Sequence, residues 1–96
     1  QLIKTAYKTL NLISFLTAGE KEVRAWTITK GTDAQNAAGV IHSDFIKKFI
    51  RADIVNFKDF VSANGWINAR ENGKVQSVGR DYIMKDGDVA DFKISP

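Results

Sequence analysis

Cysteine is absent from this sequence. Its absence excludes disulfides and thiolate metal sites, and it fits a cytosolic home. No apolar run approaches the ~20 residues of a membrane-spanning helix, so no membrane partner is expected. Neither G-x-x-x-x-G-K-[ST] nor G-x-G-x-x-G occurs. Gly19, Gly31 and Gly39 stand alone, and the chain carries no phosphate-cradling loop of its own. The only histidine, His42, is followed directly by Ser43 and Asp44. Three consecutive side chains do not reach relay geometry, so these residues are not a catalytic triad. Asp86, Asp88 and Asp91 lie close together, but the acidic twelfth ligand of a calcium loop is missing. Asp86-Gly87 is a turn signal instead. No catalytic residue, metal site or cofactor is therefore expected within the chain.

What is present fits one small α+β domain. The chain has 96 residues, 44% hydrophobic and 26% charged, as in an ordinary globular domain. A domain of this size buries roughly 60–65% of its unfolded surface, enough for one modest core. The net charge is +3 and the pI is near 9.3. That balance permits contact with RNA or another phosphate-rich partner without establishing it. The chain starts at Gln1 rather than Met, inside an expected helix, and is expected to be a piece of a longer protein.

Periodicity gives the order of elements. Leu2, Ile3, Ala6, Tyr7 and Leu10 repeat at helical spacing, with Lys4 and Lys8 on another face, which predicts a helix over 1–11. Leu12 to Ala18 and Glu22 to Lys30 form a predicted antiparallel hairpin. Both strands are apolar on both faces, so the second face should be covered, by the N-terminal helix or by a missing domain. Thr32 and Gln35 make a T-x-x-Q capping box for a short helix ended by Gly39. Ser43 or Asp44 then caps a second helix. Its buried stripe is Ile41, Phe45 and Phe49, with Ile46 and Ile50 beside them. A strand follows over Arg51 to Phe57. Short helices over Lys58 to Ala63 and Trp66 to Glu71 are stopped by Asn64-Gly65 and Asn72-Gly73. Two short strands are expected between Val75 and Met84, and a closing strand over Val89 to Ile94. A hairpin followed by a helix that crosses to another strand is the β-grasp, ubiquitin-like plan.

Basic residues interleave with aromatics, as in RNA-contacting surfaces. Arg24, Trp26 and Lys30 share one strand parity. Lys47, Lys48 and Arg51 cluster around the second helix, and Lys74 and Arg80 border the later loop. Candidate RNA contacts are therefore Arg24, Lys30, Lys47, Lys48 and Arg51. Trp26 and Ile28 are candidates for an interdomain contact.

The string from Ala37 to Val55, AAGVIHSDFIKKFIRADIV, resembles the A-A-G-x-I-H-[ST]-D-F-x-x-x-F-I-R-A-[ED]-V of the C-terminal TGS domain in YchF/Obg-like P-loop ATPases. Phe15 to Gly19 and Lys21 to Thr27 resemble that family's F-T-A-G-x-K-E-V-R-A-W-T. Asp81-Tyr82-Ile83 with Asp86-Gly87-Asp88-Val89 resembles its D-Y-[IV]-x-x-D-G-D-V. The match covers nearly the whole chain in order, is loose over Val61 to Val78, and departs at the position after Asp81-Tyr82-Ile83, which differs among relatives.

The resemblance implies a β-grasp TGS domain at 12–96, a mixed sheet with helices packed on it. Residues 1–11 would be the helix leading in from an absent G domain. It implies a module without catalytic residues, in a ribosome-associated parent whose G domain binds ATP or GTP with Mg2+ and hydrolyses it. Expected partners are the ribosome or RNA, without DNA specificity, in the cytoplasm. The alternative is an interaction module that docks on the parent's own G domain and coiled coil.

Overall fold

The computed structural model describes residues 11–19 and 22–96. The helix anticipated over 1–11 lies outside these residues except for Asn11, which has a left-handed φ of 61°. Strand β1 spans Leu12–Ala18 and pairs antiparallel with β2, Val23–Thr29. Helices α1, Ala34–Ile41, and α2, Asp44–Lys48, then cross one face of the sheet. Strand β3, Phe49–Asn56, passes straight into helix α3, Phe57–Ala63, and then α4, Trp66–Glu71. Strands β4, Gln76–Val78, and β5, Asp88–Ile94, complete the order β2-β1-β5-β3-β4. Among the described strands only β1 and β5 run parallel. The hairpin, crossing helix and return strand anticipated for a β-grasp plan are all present.

Helices cover both faces of this mixed sheet. Under α1 lie Ile13, Phe15, Ile28, Ala52, Ile54, Val78, Met84 and Ala90. Alanines at 34 and 37 let α1 sit close to them. Phe15 is fully buried and meets Phe92 edge-on, with ring centroids 5.8 Å apart. A Phe buried so completely stabilises the fold by roughly 1.5–3 kcal/mol. Ala63 of α3 and Ala69 of α4 pack on Val55 and Val89 of the sheet, with Leu16, Phe60 and Trp66 half-buried around them. That second layer stops short of β2, where Val23 and Ala25 stay exposed. The second face is covered on β3 and β5, while the N-terminal helix expected over the hairpin lies outside the described residues.

Four local expectations change. The cap of α1 is Asp33, whose carboxylate accepts the Asn36 N–H at 2.8 Å. Asp33 displaces the T-x-x-Q box because the helix begins one residue later. Thr32 then donates its hydroxyl to the Thr29 carbonyl, and Gln35 donates to the Ile46 carbonyl in α2. Gly39 lies inside α1 rather than ending it. A Cβ there would come within 2.5 Å of Ile46 Cγ1, so this glycine serves the close α1–α2 contact. The strand begins at Phe49, not Arg51. Ile50 is therefore 54% exposed instead of belonging to a buried stripe. Between Val75 and Met84 only β4 forms, and beyond Gly79 a single bridge joins Ile83 to Asp33.

Candidate functional site

Strand β3 carries a bulge that decides where its charges go. Phe49 pairs with Ile94 and Arg51 with Lys93, which leaves Ile50 as an extra residue. An extra residue inverts the alternation of faces. Phe49 thus packs against the α1-side core beside Phe92. Arg51, two residues on, reaches the opposite face, its Nε 3.6 Å from Asp53 Oδ1. The expected cluster of Lys47, Lys48 and Arg51 is split by this inversion. Lys47 and Lys48 are exposed in the last turn of α2 and form no ion pair among the described residues.

Arg51 instead joins a closed network on the α4 side. Asp53 is only 2% exposed and lies opposite Asp91 in the β3–β5 ladder. Arg70, from α4, reaches both carboxylates, at 3.0 Å from Asp53 and 3.9 Å from Asp91. Ser77 donates its hydroxyl to Asp53 at 2.7 Å, and Lys93 donates to Asp91 at 2.7 Å. The Trp66 ring lies 5.4 Å from the Arg70 guanidinium. Burial alone would raise the Asp53 pKa. Hydrogen bonds from Ser77 and Arg70, with the charges of Arg70 and Arg51, outweigh it and hold the carboxyl below its ordinary value. Arg51, Arg70 and Lys93 against Asp53 and Asp91, three cations to two anions, leave one positive charge. The cluster fastens α4 to the sheet.

The Asp86-Gly87-Asp88 turn is a second fastening. Asp86 accepts the Ser14 N–H at 2.8 Å, and the Gly87 N–H donates to the Ser14 carbonyl. Buried Asp88 accepts from the Tyr82 hydroxyl at 2.8 Å and from the Lys85 N–H at 2.9 Å. The resembling motif D-Y-I…D-G-D-V therefore describes a hydrogen-bonded loop. Sequence reading took Asp86-Gly87 only as a turn and missed these bonds, since Ser14 lies 72 positions from Asp86 and the Asp88 bonds depend on how the loop folds.

Between the bulge and this loop runs an open groove of about 640 Å³. Phe49, Ile50, Tyr82 and Arg80 line it, with Asp81 as its only acid. Lys47 and Lys48 immediately precede its Phe49 end. The groove thus joins exposed cations to aromatic and aliphatic surface. The remaining candidates lie elsewhere. Arg24, on β2, covers the half-buried Trp26 ring at 4.0 Å from its centroid. Trp26 also donates to the Thr17 hydroxyl and packs on the core. Lys30 is exposed at the end of the hairpin. Ile28 is buried in the core and offers no surface for an interdomain contact.

His42 closes the α1–α2 joint, its Nδ1 accepting the Asp44 N–H at 3.1 Å while its ring packs on Phe45. Among the described residues no group of three or more His, Asp or Glu side chains could hold a metal ion. The chain has no glycine cradle, and its buried carboxylates, Asp53 and Asp88, are already hydrogen-bonded.

Residues 12–95 match the family model YchF-GTPase_C, described as a protein of unknown function (DUF933). The chain is 53% identical over 92 residues to the ribosome-binding ATPase YchF of Escherichia coli O157:H7, covering 96% of this chain and 25% of that protein. It is 48% identical over 95 residues to the ribosome-binding ATPase YchF of Bacillus subtilis, covering 99% and 26%. Its fold matches the structure of the Schizosaccharomyces pombe YchF GTPase with a TM-score of 0.88 and 46% identity, over 96% of this chain and 24% of that one. The chain thus spans about a quarter of the length of these relatives.

Proposed function

Because this chain belongs to the YchF family as its C-terminal domain, we propose that it is a non-catalytic module contacting ribosomal RNA through the groove between the β3 bulge and the 79–82 loop. Its parent is a cytoplasmic ribosome-binding ATPase or GTPase. Nucleotide, Mg2+ and the hydrolytic residues belong to a G domain outside this chain.

The observation that carries the reading is the placement of unspent charge. Arg80 lines the groove, Lys47 and Lys48 directly precede its Phe49 in the chain, and all three are exposed and form no ion pair among the described residues. Arg51 and Arg70 are engaged by Asp53. Cations without a protein partner can neutralise phosphates and release counterions. Phe49 and Tyr82 beside them offer the aromatic surface on which unstacked bases settle.

Co-sedimentation of chain 1–96 with ribosomes over a range of salt tests this. The Lys47→Ala, Lys48→Ala, Arg80→Ala triple variant should bind more weakly. Its slope of log affinity against log salt should be shallower by about 2, from three lost contacts at ~0.7 each. Arg51→Ala should leave that slope unchanged. Equal binding by native chain and triple variant at every salt concentration would sink the proposal.

A further inference from the structure

One carboxylate stands in the groove that Phe49, Arg80 and Tyr82 line. Asp81 is exposed there, and its side chain forms no hydrogen bond or ion pair among the described residues. Asp53, Asp86, Asp88 and Asp91 differ, since each is held by a partner. An unpaired anion beside Arg80 weakens the pull of the groove on phosphate. It contributes to binding only where a ligand brings hydrogen-bond donors to it.

The loop that carries Asp81 is fastened on both sides. The Tyr82 N–H donates to the Gly79 carbonyl at 3.2 Å, which makes Arg80 and Asp81 the central residues of a turn. The first turn of α1 holds that turn in place. The Ala34 N–H donates to the Tyr82 carbonyl at 2.7 Å, and the Gln35 N–H donates to the Arg80 carbonyl at 3.3 Å. The Tyr82 hydroxyl is engaged by Asp88. Tyr82 therefore brings ring surface to the groove, and Asp81 brings its only carboxylate.

The RNA bases differ in what they offer a carboxylate, which accepts through both oxygens. Guanine presents adjacent donors, N1–H and the N2 amine, on its Watson–Crick edge. Adenine sets its N6 donor beside the N1 acceptor, and cytosine sets its N4 donor beside N3. Uracil holds its N3–H between carbonyls. Only guanine satisfies both oxygens without bringing a lone pair against them, and its edge is open only in an unpaired nucleotide. Resting on the RNA reading of this groove, we propose that Asp81 makes it selective for an unpaired guanine. The base stacks against the aromatic surface of Tyr82 and Phe49. Its N1–H and N2 amine donate to the Asp81 carboxylate, and Arg80 takes an adjacent phosphate.

Fluorescence anisotropy with chain 1–96 and short oligouridines carrying one central guanine, inosine or adenine tests this. Inosine keeps N1–H and lacks the N2 amine. The guanine oligomer should bind about five- to tenfold more tightly than the adenine one, the low end for a bidentate base contact because the groove is open. Inosine should fall between them. Asp81→Asn removes no contact among the described residues, so it should fold as the native chain does and bind guanine no better than adenine. Equal affinity of the native chain for guanine and adenine would overturn the selectivity and leave RNA binding standing. A guanine preference that survives in Asp81→Asn would overturn the role of Asp81. Failure to bind any oligomer would overturn the proposal too, and failure to co-sediment with ribosomes as well would remove the RNA reading beneath it.

Discussion

Asp53 faces Asp91 directly across the β3–β5 ladder, and the Arg70 guanidinium reaches both carboxylates. Like charges opposite one another destabilise a sheet unless a cation joins them. Arg70 does so from α4 while its guanidinium also lies 5.4 Å from the Trp66 ring centroid. Arg70→Ala should therefore destabilise the fold by about 1–3 kcal/mol. The upper range for a broken buried pair is not reached, because Asp53 keeps Ser77 and Arg51 and Arg70 itself is partly exposed. Urea unfolding of the two proteins measures the difference, and a change under about 0.5 kcal/mol would mean that Arg70 is only a surface charge.

The same carboxylate predicts the acid limb of stability. Asp53 has a folded pKa below the ordinary 3.8. Below about pH 4 the unfolded chain takes up the proton first, so stability falls with falling pH. The contribution is present above the unfolded value and is lost as pH drops through the lowered folded one. Asp53→Asn removes this titration. Between pH 6 and pH 2, native stability should decline more steeply than that of the variant, and parallel curves would contradict the assignment.

Tyr82 governs the opposite end. Burial raises its phenol pKa, and its bond to Asp88, together with the Asp88 charge, raises it further above the ordinary 10.0. Above about pH 10 the unfolded chain loses this proton while the folded one retains it, so stability falls with rising pH. Tyr82→Phe should cost about 1–2 kcal/mol at neutral pH by leaving Asp88 with the Lys85 N–H as its partner. Its alkaline decline should be shallower than the native one. Alkaline unfolding followed by circular dichroism, with phenolate absorbance recorded in parallel, separates the two effects.

Much of this fold is written locally, and some of it is not. Asn64-Gly65 stops α3 as expected because both residues take positive φ. The hairpin follows its β-type residues within one position at each end. The α2–β3 boundary misleads because Ile41, Phe45 and Phe49 keep helical spacing, although Phe49 is already strand. Lys47 and Lys48 could be read as exposed from the sequence. Arg51 could not be placed with or apart from them, since its face depends on a bulge defined by pairing with β5. Asp53 and Asp88 give the same lesson, as charged residues whose burial is made tolerable by partners 17 or 24 and 6 positions away, respectively.

The bulge itself can be tested by removing its extra residue. Ile50 is more than half exposed, so Ile50→Ala should change stability by no more than about 0.5 kcal/mol. Deleting Ile50 makes Phe49 and Arg51 neighbours in the chain, which simple alternation places on opposite faces, where they already lie. Phe49 should therefore keep its place in the core beside Phe92. The deletion should cost far less than the about 3–5 kcal/mol of losing a core Phe. Thermal unfolding of both variants compares them. If deletion cost as much as the loss of a core Phe, Ile50 would not be a simple extra residue between two regular stretches of the strand.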